Sequence, residues 1–114
     1  MVLYGISSCG NVRKARKWLN DHAIDHRFHD YRSDGMDAAL IEHLEAAAGW
    51  EQMLNRRSTS WRRLSDSERS TVNREKAMQL MLDHPTLIKR PLLETESEML
   101  VGFSDVQYRS AVGT

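Results

Sequence analysis

The chain has 114 residues, of which 40% are hydrophobic and 28% are charged, and its formal net charge is zero. This length suits one modest core, so we predict a single domain over residues 1–114. The balanced charge argues against direct binding of nucleic acid, and the lack of an apolar run of roughly 20 residues argues against a membrane protein.

The first part of the chain predicts a strand, a helix and a second strand. Residues 2–6 form a short apolar run before two serines, which is typical of a buried strand. Residues 25–30 alternate weakly and end in a turn-forming cluster, which predicts another strand. The helical pattern between them has apolar residues at three- and four-residue spacing: Val12, Ala15, Trp18 and Leu19. Such a βαβ unit predicts parallel pairing of its two strands.

Helices dominate the predicted middle of the chain. Residues 36–48 carry an apolar stripe, and the glycine that follows suits a C-cap. Ser65 and Glu68 have the spacing of a capping box, which indicates a helix start. Residues 71–82 then predict an amphipathic helix, which Pro85 ends.

The last part of the chain predicts two adjacent strands and a helix. Residues 87–93 predict a strand edge or turn, and residues 99–101 predict a strand after an acidic turn. Ser104 begins a short terminal helix. Periodicity alone predicts an α/β protein with one small sheet, and the order of the elements matches a thioredoxin-like layout.

Cys9, the single cysteine, lies between the first strand and the first helix. A helix that begins just after it directs free backbone N–H groups and the positive end of its dipole at the sulfur. Arg13 and Lys14 add positive charge one turn further on, so the pattern favours the reactive thiolate. A lone cysteine is also commonly a small buried hydrophobic residue, and the local sequence leaves both interpretations open.

Val12 stands where a Cys-x-x-Cys motif has its second cysteine. Any redox cycle therefore uses an external thiol, such as glutathione, or a cysteine of a protein partner. One cysteine cannot form an internal disulfide, so we expect a reducing, cytoplasmic compartment. The five histidines show no zinc-site spacing, and we predict no metal site.

Four segments resemble the arsenate reductase (ArsC)/Spx family. They are SCGNVRKARKWL at residues 8–19, NRRSTSWRRL at 55–64, HPTLIKRPLL at 84–93 and GFS at 102–104. Their order and spacing cover nearly the whole chain. The second and fourth segments are most similar to the YffB-like branch, whose members are expected to be glutathione-dependent thiol reductases.

The resemblance implies a thioredoxin-like α/β fold, in which helices flank a small mixed sheet. It also implies an α-helical insertion, at roughly residues 36–82, between an N-terminal βαβ unit and a C-terminal ββα unit. Among the predicted elements, the insertion contains every helix except the first and the last.

The resemblance further implies the residues of an active site. Cys9 is the expected nucleophile, Arg90 the arginine that contacts an oxyanion or thiolate, and Pro91 the cis-proline beside which thiol substrates bind. Arg57 matches a second family arginine, with Arg56 one position away as the alternative. The expected catalytic residues are Cys9 and Arg90, and the expected substrate-binding residues are Gly10, Asn11, Val12, Arg13, Lys14, Arg57, Lys89 and Pro91.

The implied function is a thiol-dependent reductase. Its Cys9 thiolate would form a covalent or mixed-disulfide intermediate that glutathione or another small thiol resolves, with no tightly bound cofactor. One alternative is an Spx-like regulatory module that binds RNA polymerase, although Val12 removes the Cys-x-x-Cys on which the Spx switch relies. The other is a true arsenate reductase, whose further arginine has no counterpart in residues 101–103.

Overall fold

The computed structural model describes residues 1–113, so Thr114, the last residue of the predicted domain, lies outside the described residues. The chain divides into two compact units, one formed by residues 1–35 with the chain from Arg90 onward, and one formed by Met36–Lys89. The second unit contains the helical insertion predicted at residues 36–82 and runs on to Lys89.

The described residues form four strands and seven α-helices. The strands are β1 Val2–Gly5, β2 Arg27–Asp30, β3 Leu92–Glu94 and β4 Met99–Val101. The helices are α1 Gly10–Asp21, α2 Ala38–Ala48, α3 Trp50–Met53, α4 Thr59–Arg62, α5 Asp66–Arg69, α6 Arg74–Asp83 and α7 Asp105–Val112. Pro85–Leu87 forms a single turn of 3-10 helix.

The first unit contains a mixed sheet with the strand order β2-β1-β3-β4. β1 pairs with β2 in parallel, with Leu3 opposite Phe28, and with β3 in antiparallel fashion, with Leu3 opposite Leu93. β3 and β4 are antiparallel, so the predicted βαβ and ββα units are both confirmed. Because the carboxyl ends of β1 and β2 lie at the same edge, the loop with Cys9 begins at that edge.

The core of this unit lies between the sheet and helices α1 and α7. The predicted apolar stripe of α1 is buried, and Trp18 also donates its indole N–H to the Asp105 carboxylate of α7 at 2.6 Å. The cluster is almost entirely apolar, and it consists of Leu3, Ala15, Trp18, Leu19, Leu93, Leu100 and Tyr108. Burying each large side chain stabilises the fold by about 1.5–3 kcal/mol. The packing of these side chains holds α1 against the sheet, and Cys9 immediately precedes this helix.

The second unit is built from helices. α2 begins at Asp37, whose carboxylate accepts the Leu40 N–H at 2.8 Å, and ends at Gly49, which has φ of +82°. That left-handed conformation favours glycine, so the predicted C-cap is confirmed. The buried apolar residues of α2, α3 and α6 are Ile41, Leu44, Met53, Ala77, Leu80 and Met81.

One helix boundary was predicted wrongly. The capping box of Ser65 and Glu68 is present, but it starts the short helix α5, and the predicted helix 71–82 begins later, at Arg74. Thr71 has φ of +51°, which a helix cannot include, and the Asn73 side chain caps α6 by accepting the Lys76 N–H at 2.9 Å. Asparagine is one of the preferred N-cap residues, and the spacing of apolar residues gives no information about the position of the cap.

The segment predicted as a strand edge or turn has a mixed structure. Leu87 ends the 3-10 turn, Ile88 forms an isolated antiparallel bridge with Leu54, and strand β3 begins only at Leu92. No helix within residues 1–113 is long and apolar enough to cross a membrane.

Candidate active site

Cys9 lies in a tight turn between β1 and α1. Its N–H donates to the Ile6 carbonyl at 3.0 Å, and its carbonyl accepts the Arg13 N–H at 3.0 Å, so Cys9 is the N-cap of α1. A Cβ atom at Gly5 would lie 2.6 Å from Cγ2 of the buried Val12. Glycine at this position therefore lets the first turn of α1 pack directly against the end of β1.

The environment of Cys9 favours the thiolate. Burial alone would raise the pKa of the Cys9 thiol, but the N–H of Val12, the side chain of Arg90 and the N–H of Asn11 outweigh burial and lower this pKa below its ordinary value. The sulfur makes no conventional capping hydrogen bond, so these N–H groups act on it as aligned dipoles at the helix N-terminus. Cys9 is partly exposed and unpaired, so an external reactant has access to it.

Arg90 and Pro91 precede β3. The Arg90–Pro91 peptide bond is cis, and the Pro91 carbonyl accepts the Gly102 N–H at 2.8 Å. From this position the Arg90 side chain lies close enough to Cys9 to lower the pKa of its thiol. The first unit therefore brings together Cys9 and Arg90, which are far apart in sequence.

The other predicted residues of the loop differ in exposure and in hydrogen bonding. Gly10, Asn11 and Lys14 are exposed, and Val12 is buried and contributes its N–H. Arg13 donates to the Ser8 carbonyl at 2.8 Å, so its guanidinium closes the turn. Arg90 is a cation that lowers the pKa of Cys9, and it comes from a segment distant in sequence.

A buried carboxylate, which the sequence prediction missed, supports the turn at residues 6–9, which we call the Cys9 turn. Asp30 is 7% exposed and accepts the N–H of Ser7 at 3.1 Å and that of Arg32 at 2.8 Å, with a longer contact to the Ser33 N–H at 3.4 Å. Burial alone would raise the pKa of the Asp30 carboxyl, but these N–H groups lower it below its ordinary value. Asp30 thereby ties the end of β2 to the segment that leads into Cys9.

The remaining predicted residues lie in the second unit. Arg56, Arg57 and Lys89, together with Glu51 and Leu54, line a recess of about 240 Å³, which we call the basic recess. Arg56 and Arg57 are both exposed there, so the recess contains both alternatives for the second arginine.

The backbone fixes the position of the basic recess. The Lys89 N–H donates to the Met53 carbonyl at 2.8 Å, and the Arg57 N–H donates to the Asn55 side chain at 3.1 Å. Because the side chains of Arg56, Arg57 and Lys89 are positively charged, the recess suits an anion. Within residues 1–113 no group of histidine, cysteine, aspartate and glutamate residues could hold a metal ion.

Fold and site together define a thioredoxin-like protein with a cysteine at the start of its first helix and an arginine before a cis-proline. A family model described as the ArsC family matches residues 4–111. The chain belongs to the ArsC family, and both the resemblance to this family and the predicted fold class are confirmed.

Individual relatives agree with this assignment. The solved structure of the YFFB protein is 41% identical, has a TM-score of 0.90, and covers 96% of this chain and 96% of its own. The solution structure of an arsenate reductase (ArsC) related protein from Brucella melitensis is 42% identical, with a TM-score of 0.78, and covers 99% of this chain and 94% of its own. The global transcriptional regulator Spx 2 of Bacillus anthracis is 27% identical over 112 residues, which cover 96% of this chain and 84% of that protein.

Proposed function

We propose that this protein is a glutathione-dependent thiol reductase that acts in the reducing cytoplasm through a Cys9 thiolate. The supporting observation is the lowered pKa of Cys9, which depends on the N–H groups at the start of α1 and on Arg90. The thiolate is the nucleophilic form of cysteine, and a lowered pKa increases its population at a given pH. Its partial exposure admits a substrate.

The chemistry follows from the single cysteine of the chain. The Cys9 thiolate attacks the glutathione sulfur of a mixed disulfide, so the substrate S–S bond breaks, a Cys9–glutathione disulfide forms, and the released substrate thiolate takes a proton from water. A second glutathione thiolate then attacks the glutathione sulfur of this intermediate, which releases oxidised glutathione and regenerates the Cys9 thiolate. Each turnover consumes one glutathione thiol and converts the mixed disulfide into the substrate thiol and oxidised glutathione, and no second protein cysteine takes part.

The charged residues have distinct proposed roles. Arg90 stabilises Cys9 as the leaving thiolate and holds an anionic group of the ligand, while the N–H groups of Asn11 and Val12 face the reacting sulfur. Arg57 and Lys89, with Arg56, give the second unit a recess suited to a carboxylate such as those of glutathione.

Incubation with oxidised glutathione followed by intact mass measurement tests this proposal. We expect one glutathione adduct on Cys9, none in the Cys9→Ser variant, and an apparent thiol pKa below 9.0, the ordinary value for this group. An unmodified protein, or a thiol that titrates at the ordinary value, would contradict the proposed reductase.

An Spx-like regulator that binds RNA polymerase is the second candidate. The 27% identity to Spx 2 of Bacillus anthracis over nearly the whole chain supports it. Co-purification of RNA polymerase subunits with the Cys9→Ser variant, as strongly as with the unaltered protein, would favour this function, because it would not depend on the thiol.

A true arsenate reductase is the third candidate, which the 42% identity to an ArsC related protein from Brucella melitensis supports. Glutathione consumption that requires arsenate, and that is lost in Arg90→Ala, would establish this activity. Glutathione consumption that is the same with and without arsenate would exclude it.

A further inference from the structure

Helix α1 carries a concentration of positive charge next to Cys9. It has four cations and one carboxylate, although the chain as a whole has equal numbers of basic and acidic residues. The four cations are Arg13, Lys14, Arg16 and Lys17. The two nearest to Cys9 in sequence, Arg13 and Lys14, are both exposed, and we call them the α1 cation patch.

The charge of this helix opposes its own dipole. Acidic residues stabilise the N-terminal turn of a helix, whereas cations there are unfavourable. Helices α3, α5, α6 and α7 each have an aspartate or glutamate in the first turn. The first turn of α1 has none, and Arg13 and Lys17, which are one turn apart, repel each other as like charges. The cations at the start of α1 therefore do not serve the stability of this helix.

The two cations further along α1 have partners within the first unit. The Lys17 ammonium pairs with the Asp21 carboxylate at 2.6 Å. The Arg16 guanidinium lies 4.4 Å from the centre of the Phe28 ring, which is the separation of a cation–π contact. Both charges are thus compensated by groups of the chain itself.

The α1 cation patch differs, because no carboxylate of residues 1–113 pairs with it. Arg13 donates to the Ser8 carbonyl at 2.8 Å, which holds its guanidinium at the Cys9 turn but does not neutralise its charge. Lys14 comes next on the exposed side of the helix. Cys9 is partly exposed and directly precedes the same helix, so two uncompensated cations lie at the end of α1 where the reactive sulfur is.

The geometry of the helix indicates the size of a suitable partner. Lys14 is five residues from Cys9, which corresponds to about 7.5 Å along the helix and about 140° around it. A molecule that reacts at Cys9 and also contacts Lys14 therefore extends around the first turn of α1. A polypeptide segment on either side of a modified cysteine has this reach, and acidic side chains complement the charge of the patch.

We propose that Arg13 and Lys14 form a docking surface for an acidic segment of a protein substrate, beside the mixed disulfide that Cys9 reduces. This inference rests on the proposed reductase and names its substrate class, which is proteins whose glutathionylated cysteine is flanked by aspartate or glutamate. Exposed charges mainly speed the encounter of two molecules. The preference should therefore appear in the rate at low substrate concentration.

Two synthetic peptides test this preference. Each contains one cysteine in a mixed disulfide with glutathione, flanked by glutamates in one peptide and by lysines in the other, so only the charge of the peptide differs. With excess glutathione, and after subtraction of the uncatalysed rate, we expect the protein to release the acidic thiol about tenfold faster at low ionic strength. The difference should shrink in high salt, because exposed charges are screened there.

Lys14→Glu and Arg63→Glu are matched variants, since each reverses one exposed charge, and Arg63 belongs to the second unit. We expect Lys14→Glu to lower the ratio of the two peptide rates about fivefold, and Arg63→Glu to leave this ratio unchanged. A change in the reactivity of Cys9 cancels in the ratio, because both peptides react with the same thiolate. Equal rates for the two peptides, or equal effects of the two variants, would overturn the docking surface.

Docking is also measured apart from the chemistry, in the Cys9→Ser variant. Fluorescence anisotropy compares the affinities of the two peptides, labelled with fluorescein, and of a labelled DNA duplex. We expect the acidic peptide to bind more tightly than the basic one. Equal affinity for both peptides, or tight binding of the duplex that Lys14→Glu abolishes, would contradict the proposed partner. If the acidic peptide binds preferentially but the unaltered protein reduces neither disulfide, then the proposed reductase fails and the docking surface stands.

Discussion

The Cys9 turn, residues 6–9, and the basic recess both favour negative charge, but they are built differently. At the turn, the groups that favour the Cys9 thiolate are the N–H groups of Asn11 and Val12, fixed by the start of α1, together with the side chain of Arg90. In the recess, the charges of Arg56 and Arg57 are on long, exposed side chains. Fixed dipoles need no reorganisation when charge develops, whereas exposed cations lose side-chain entropy on binding and are screened by salt. We therefore expect loss of Asp30 or Arg90 to alter stability or reactivity, and substitutions in the recess to alter binding weakly.

The largest effect is expected at Asp30. In Asp30→Ala the backbone N–H groups of Ser7 and Arg32 lose their acceptor, which we expect to lower the free energy of unfolding by roughly 3 kcal/mol. Urea denaturation at pH 7 measures this loss. The exposed Asp25, changed to Ala, is the control and should stay within about 0.5 kcal/mol of the unaltered protein.

The contribution of Asp30 should also depend on pH. Its pKa in the folded protein is lowered, so the ionised carboxylate stabilises the fold fully above its ordinary pKa of 3.8, and this stabilisation disappears as the pH falls through the lower folded value. Unfolding measured from pH 7 down to pH 2 should therefore show the Asp30→Asn variant approaching the unaltered protein only in acid. A constant difference across this range would show that the charge of Asp30 contributes nothing.

The next effect is expected at Arg90. Its removal in Arg90→Ala takes away a hydrogen bond and a positive charge that lower the pKa of Cys9, so the thiol pKa rises and less thiolate is present near neutral pH. We expect alkylation by iodoacetamide at pH 6 to slow several-fold, while the rate at high pH changes little. Measuring the alkylation rate as a function of pH gives the rates at pH 6 and at high pH in one experiment.

Arg13→Ala is the matched control for Arg90, since it removes an arginine that is close in sequence to Cys9. The Arg13 guanidinium donates to the Ser8 carbonyl, so its loss should leave the midpoint of the alkylation profile in place. A shift equal to that of Arg90→Ala would mean that general positive charge, and not the contact with Arg90, controls the thiol.

The sequence predicts this site unevenly. Periodicity places α1 and so the helix N-terminus at Cys9, because the stripe that contains Trp18 must face a core. Periodicity could not identify Arg90 as a site residue, because the segment with Arg90 reaches the site through the pairing of β3 with β1, which are far apart in sequence. Only the family resemblance identified that residue. Asp30 was missed because an aspartate at the end of a short strand is usually exposed, and its proximity to Cys9 depends on the parallel pairing of β1 and β2.

The smallest effect is expected in the basic recess. Arg57→Ala removes one exposed cation, so we expect the KM for glutathione to rise no more than about threefold, with kcat unchanged, because a screened surface charge binds the ground and transition states alike. Arg63→Ala, which removes an exposed arginine that lines another recess, should leave KM unchanged. The difference between these two variants should vanish in high salt, since exposed charges are screened there. If Arg57→Ala instead lowered kcat strongly, and salt had no influence, then the recess would be as preorganised as the Cys9 turn, and the contrast between the two regions would be wrong.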